Sequence, residues 1–301
     1  MAATRLPYIR MILGGRFPQG TKALHQQYGD VVRIAPDELS FIDGAAWKPI
    51  YGTRVGHGQK SKDHRFYAPT PGEAPSIIVS NDADHSRFRR LLSHAFSESS
   101  LRSQETIIKG YIDLLMQRLH ENIDGGTSTV DMVAWYNFTT FDIIGDLAFG
   151  EPFDCLKNSE YHQWVSIIFS SLKYGAYANV SVWPSSQRLF EFVSVSHLTA
   201  SHSPANFADA EQFIPERHLD NPRFANDSKT AMEPFSFGPR NCIGRDLTYV
   251  KMRIILTRMV FNFDRELDQP EKNWMDRECF VLWNKPKLMI KLKPRVHSKR
   301  S

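Results

Sequence analysis

The residue with most chemistry to offer is Cys242. It sits in Phe235-Ser236-Phe237-Gly238-Pro239-Arg240-Asn241-Cys242-Ile243-Gly244, followed at once by the helical pattern RDLTYVKMRIILTRMVF. A cysteine ligates a metal as its thiolate, and a helix N-terminus and nearby cations both favour that charged form. The free N–H groups of the first helical turn can point at the sulfur. Arg240, on the same loop, can hold an anionic group through a charge-assisted bond. Gly238 and Gly244 permit tight turns and let a flat ligand lie close to the backbone, and Phe235 can shield the sulfur from water. A lone cysteine before a helix is usually a structural thiol. Two glycines, an arginine and an aromatic at these spacings argue for a ligand instead.

A second constellation is His85-Ser86-Arg87-Phe88-Arg89. Positions i and i+4 share one helix face, so His85 and Arg89 can address one group together. Taken alone, Arg87, Arg89 and Arg90 would be a solvated basic face.

The elements that must position these residues are mostly helical. A short amphipathic helix is expected from Gly20 to Tyr28, then a hairpin of Val31–Ile34 and Leu39–Ile42 around a Pro36-Asp37 turn. Residues 52–80 read as a long loop. Asp82 is placed to cap a helix through HSRFRRLLSHAF. A long helix from about Ser103 carries Ile107, Ile108, Tyr111, Ile112, Leu115 and Leu119 on one stripe. Asp131 should cap a third helix, MVAWYNFTTFDIIGDLAF, whose apolar residues lie nearly all round and predict burial, with a stop at Gly150-Glu151-Pro152. A fourth spans about Ser159 to Tyr177. After Pro184 the texture turns polar and β-branched. The last helix runs from near Gly244 to near Phe261, ahead of a β-rich tail at Cys279–Trp283 and Leu288–Leu292. The fold class is mainly α with small β-sheets.

With 301 residues, 42% hydrophobic and 12% aromatic, the chain can bury a sizeable core. A net charge of +4 suits an acidic protein partner or an anionic membrane surface. It does not argue for nucleic acid, because no basic block is interleaved with aromatics. The cysteines, Cys155, Cys242 and Cys279, form no CxxC pair, which favours a reducing compartment. No stretch approaches the roughly 20 apolar residues of a membrane span, and the start is too interrupted for a signal peptide. A Ser-His-Asp hydrolase finds no Gly-x-Ser-x-Gly elbow.

The segment from Phe235 to Gly244 resembles the cysteine loop of the cytochrome P450 family. The resemblance extends along nearly the whole chain. Phe213-Ile-Pro215-Glu216-Arg217 resembles the family's PERF-type segment, and His85…Arg89 its C-helix W/HxxxR motif. LHQQYGDVVRIAPDELSF near the start, and NFDRELD and KPKLMIKLKPR near the end, are similar to fungal microsomal members. The resemblance implies haem b ligated by Cys242 and surrounded by Phe235, Gly238, Arg240 and Gly244. It further implies that His85 and Arg89 grip a haem propionate. The implied activity is monooxygenation of a lipophilic small molecule with O2, in secondary metabolism. Electrons would come from an NADPH-cytochrome P450 reductase docking near Arg87, Arg90, Arg245 and Lys251. The implied location is the cytosolic face of the endoplasmic reticulum membrane. Without the family's N-terminal anchor, this chain would be cytoplasmic or in peripheral membrane contact.

The sequence also departs from the family. No match to the oxygen-activating I helix is found, and no Glu-x-x-Arg of the K helix occurs. The stretch between Arg89 and Cys242 is too short for the intervening helices. The expected fold is therefore a partial cytochrome P450 fold lacking the I-helix/K-helix block, with a seam near Leu189 to Val193. It would comprise an N-terminal part over 1–192 and a C-terminal haem-binding part over 193–301. Without its Glu partner, Arg217 must be solvated or paired anew. The alternatives are a catalytically inactive remnant and a non-catalytic haem- or partner-binding module.

Overall fold

Prolines open the first two helices. α1 (Leu6–Leu13) and α2 (Phe17–Tyr28) carry Pro7 and Pro18 in their first turns, where the missing N–H breaks no bond and the fixed φ suits the helix. α2 thus starts earlier than the Gly20 expected. The computed structural model describes residues 4–53, 56, 58–63, 67, 72, 74–181, 192–268 and 276–296. Most of the expected seam at Leu189 to Val193 lies outside these residues, as does part of the 52–80 loop.

In chain order there follow β1 (Val31–Ala35), β2 (Glu38–Phe41), α3 (Trp47–Tyr51), α4 (Asp82–Ser93), α5 (Glu98–Asp124), β3 (Thr129–Asp131) and α6 (Met132–Phe149). The rest are α7 (Cys155–Asn158), α8 (Gln163–Ser181), β4 (Phe192–Val195), α9 (His197–Ser201), α10 (Arg245–Asn262), β5 (Phe263–Leu267) and β6 (Met289–Pro294). The architecture is mainly helical with two small sheets, consistent with a cytochrome P450 fold. The chain forms two compact units, each drawn from separated stretches of sequence. One comprises Met1–Arg89, Lys173–Ile243 and Glu278–Trp283; the other comprises Arg90–Leu172, Gly244–Arg277 and Asn284–Ser301.

In the first unit the expected hairpin forms, with β1 antiparallel to β2 and Val32 opposite Ser40. β4 adds to it in parallel, bringing Val193 opposite Leu39 and Val195 opposite Phe41. Ile42, Trp47, Val195 and Ala200 are buried together, with Tyr51 and Phe237 packed against them. α3 is thereby a platform for the segment that leads to Cys242. Trp47 donates from Nε1 to the Ala231 carbonyl at 3.3 Å, and the Tyr51 hydroxyl accepts from the Val195 amide at 3.2 Å.

Arg217 is paired anew. Its Nη1 donates to Asp227 at 2.5 Å and its Nη2 to the Ala208 carbonyl at 3.0 Å. The guanidinium also lies over the Phe224 ring, 4.8 Å from its centre. The two charged side chains keep only 10% and 3% of their exposure. The other Asp227 oxygen accepts from the Ala208 amide at 2.8 Å.

The second unit holds the larger core. The α5 stripe buries Leu101, Ile108, Ile112, Leu115 and Leu119 against Trp135, Phe138 and Ile143 of α6 and Leu247, Ile255 and Met259 of α10. Each such side chain contributes about 1.5–3 kcal/mol on burial. β3, β6 and β5 form its sheet, with Val130 opposite Ile290 and Arg265 opposite Leu292. Ser97 caps α5 through the Ser100 amide, so the helix begins before Ser103. Ile107 leaves the stripe and is exposed: beside Ile108, it falls past the edge of the buried arc.

Asp131 caps α6 as expected, accepting from the Val133 amide at 3.1 Å. Gly150 closes the helix at φ 78°. Burial all round does not hold, since Ile144 and Phe149 are exposed. Instead α6 buries Asp142, whose carboxylate accepts from the Cys155 and Leu156 amides at 3.0 and 2.8 Å and so begins α7. Burial raises the Asp142 carboxyl above its ordinary value, against those two bonds.

Candidate functional site

Ser80, Asp82, His85, Arg89, Phe235, Gly238, Arg240 and Cys242 all belong to the first unit, where the start of α4 and the loop before Cys242 meet. Asn81, not Asp82, caps α4: its Oδ1 accepts from the Asp84 amide at 2.9 Å. This frees the Asp82 carboxylate for tertiary bonds. It accepts from Arg240 Nη2 at 2.8 Å, Gln59 Nε2 at 2.6 Å and Ser61 Oγ at 2.5 Å. Burial acts to raise the Asp82 carboxyl, but these bonds together hold it below its ordinary value.

Arg240 is half committed. Nη2 also donates to the Ser80 carbonyl at 3.0 Å. Nε and Nη1 are buried and have no hydrogen-bond partner among the described residues. Orphaned donors of this kind cost about 1–3 kcal/mol each until an acceptor arrives.

His85 is buried on the first turns of α4. Burial, then Arg240, Arg89 and Lys62, lower its pKa from the ordinary value, with Asp82 opposing. The imidazole is accordingly neutral at pH 7 and offers a hydrogen bond, not a charge. Lys62, which the sequence did not mark, donates from Nζ to the Ile78 carbonyl at 2.8 Å and sits over the Tyr67 ring at 4.0 Å. Burial, then Arg240, bring its pKa down to about 8. Three cations, Lys62, Arg89 and Arg240, thus bear on His85, with Arg240 paired to Asp82.

Arg89 shares the α4 face with His85, but its guanidinium goes to the cysteine loop. Nη1 donates to the Asn241 carbonyl and Nη2 to Asn241 Oδ1, both at 2.5 Å. Burial lowers its pKa, while charge on Cys242 acts the other way. The Cys242 amide donates to the Phe235 carbonyl at 2.8 Å and closes the loop, and Cys242 itself is exposed.

Gly238 is required by the chain itself. Its φ is 77°, and a Cβ there would lie 2.0 Å from the Tyr51 carbonyl oxygen. Gly244, in the second unit, differs. Its φ of −85° suits any residue, and its Cβ would meet only Phe96, at an ordinary 3.7 Å. Phe235 is half-buried. Of the residues expected to face a reductase, Arg87 pairs with Asp84 at 3.2 Å, Arg245 with Asp246 at 3.0 Å, and Lys251 is half-buried with its pKa lowered by burial. Arg90 is exposed.

Sequence reasoning missed Asn81, Asp82 as an ion-pair partner, Lys62 and Asn241. Only Asn241, as the neighbour of Cys242, carried a positional hint. The arrangement fits a haem. An exposed thiol is available to an incoming iron, and two buried nitrogens of one arginine, unsatisfied among the described residues, match a carboxylate in a cationic surrounding.

The family model described as Cytochrome P450 matches residues 5–191 and 191–292. Cytochrome P450 monooxygenase astJ of Aspergillus oryzae is 31% identical over 451 aligned positions, covering 98% of this chain and 90% of that protein. Cytochrome P450 monooxygenase lcsI of Purpureocillium lilacinum is 30% identical, covering 97% and 87%. Averantin hydroxylase of Dothistroma septosporum is 28% identical, covering 99% and 86%. The alignments run over 451 to 455 positions, against 301 residues in this chain. Together with the cysteine loop and the α4 constellation, these matches show that the chain belongs to the cytochrome P450 family of monooxygenases.

Proposed function

We propose that the chain is a haem-thiolate monooxygenase acting on a lipophilic small molecule in fungal secondary metabolism, with Cys242 as the iron ligand. The observation that carries this reading is Arg240, whose buried Nε and Nη1, without a partner among the described residues, lie on the same loop as the exposed Cys242. When bound, haem would supply the activation of O2 with two electrons, delivered by an NADPH-cytochrome P450 reductase. Cys242 would hold the iron, and Arg240, supported by Lys62, would hold a propionate. Asp82 keeps Arg240 in place, neutral His85 offers an N–H, and the Cys242–Phe235 bond orders the loop. The cytosolic face of the endoplasmic reticulum is the proposed location. Among the described residues no helix is long and apolar enough to cross a membrane.

A second reading is a shortened, catalytically silent member, missing the oxygen-activating helix. Two observations favour it: the family match divides at residue 191, and α10 leaves Tyr249, Met252, Leu256 and Val260 exposed along one side.

Haem binding tests the first reading without turnover. Wild type should bind iron protoporphyrin IX at least about tenfold more tightly than Arg240→Gln, the loss expected for a charge-assisted bond. The dimethyl ester of the same porphyrin should bind both proteins about equally. Equal binding of the free acid to the two proteins would remove Arg240 from the site.

A further inference from the structure

The i, i+4 spacing assigned Arg89 to the same anion as His85, yet both of its terminal nitrogens are used within the chain. Nη1 and Nη2 reach the backbone oxygen and the side-chain Oδ1 of a single residue, Asn241. A guanidinium fork on two acceptors fixes an orientation as well as a distance. Here the acceptors belong to the residue immediately before Cys242.

The Asn241 carbonyl is in the same peptide unit as the Cys242 amide, which donates to the Phe235 carbonyl at 2.8 Å. That peptide unit is planar. Arg89 holds its oxygen edge and Phe235 its hydrogen edge, so the plane cannot rotate without breaking one bond or the other. The position of the Cys242 Cα follows from the plane. The two bonds also reinforce one another, because a polarised carbonyl makes its own N–H a better donor. The Asn241 amide, in the preceding peptide unit, donates to the Gly238 carbonyl at 3.1 Å and ties the other side of Asn241 to the turn before it.

We propose that Asn241 is a positioning residue: through its two oxygens Arg89 fixes the peptide plane that presents the Cys242 sulfur. The proposal rests on the reading of Cys242 as the iron ligand and deepens it. A side chain at 241 must carry an acceptor one carbon from Cβ, so aspartate can replace asparagine while alanine cannot.

The test is amide exchange at Cys242, resolved by mass spectrometry on the full chain without added haem. Asn241→Ala should speed exchange of this amide about tenfold or more, the effect of losing a hydrogen bond to a charged group. Amides of α5 should be unchanged, and Asn241→Asp should restore slow exchange. Should Asn241→Ala fail to fold, Arg89→Lys carries the test: it keeps the charge, loses the fork, and must show the same confined loss. Exchange at Cys242 within about threefold of wild type in the variant that folds overturns the proposal. Because no haem is present, failure of the chain to bind haem would refute the function while leaving this result standing.

Discussion

Asp227→Ala is expected to lower the unfolding free energy by about 3–5 kcal/mol, the cost of leaving one member of a buried ion pair alone. Three features place the effect at the upper end. Asp227 is almost fully buried and Arg217 nearly so. The carboxylate also satisfies the Ala208 amide, so a backbone donor is orphaned with the charge. Arg217 would keep carbonyl acceptors at 3.0 and 3.4 Å and the faces of Phe224 and Phe207. The loss would be a large share of the roughly 5–15 kcal/mol that stabilises a domain. The measurement is urea unfolding of Asp227→Ala beside the double variant Arg217→Met/Asp227→Leu. Removing both charges together should cost clearly less than removing one, since apolar replacements of similar volume are close to neutral for buried pairs. A double variant less stable than Asp227→Ala would show that packing, not charge pairing, makes this site important.

Gly238→Ala should be the most damaging single methyl in the chain. A left-handed φ costs a residue with a Cβ about 1–2 kcal/mol. Overpacking adds about 1–3 kcal/mol, and here the Cβ would sit 2.0 Å from a backbone oxygen that no rotamer change can move. The loop and α3 must separate. The expected result is a large drop in thermal midpoint together with loss of haem binding. Gly244→Ala is the control. Its new Cβ meets one ring carbon at an ordinary distance, and Gly244 is the N-cap of α10, so stability without haem should fall by no more than about 1 kcal/mol. Equal effects of the two substitutions would contradict the account of Gly238.

Local grammar was readable from the sequence. The hairpin about Pro36-Asp37, the Asp131 cap and the Gly150 stop depend on neighbours within a few residues, and all three form. α3 was not foreseen, because five residues containing Pro49 carry no helical period. α7 was not foreseen either, since its start depends on Asp142, a turn and a loop away. The misassignment at Asp82 is instructive. Asn81 and Asp82 are both good capping residues, and what separates them is Arg240, 158 positions further on. Arg89 also has a long-range partner that its spacing from His85 does not reveal: its fork meets Asn241, 152 positions away. The types and spacing of Cys242, Arg240, Arg89 and His85 mark a candidate site in the sequence. Which of them holds which group is decided by burial and long-range pairing, and these exist only in the folded chain.

The central claim is that Cys242 ligates haem iron. It is tested most directly by the reduced, carbon monoxide difference spectrum of the haem-supplemented chain, with Cys242→Ala alongside. The account predicts a red-shifted, thiolate-type Soret band in the wild type that is lost in the variant. A wild-type spectrum without that band, or one unchanged by the substitution, would contradict it.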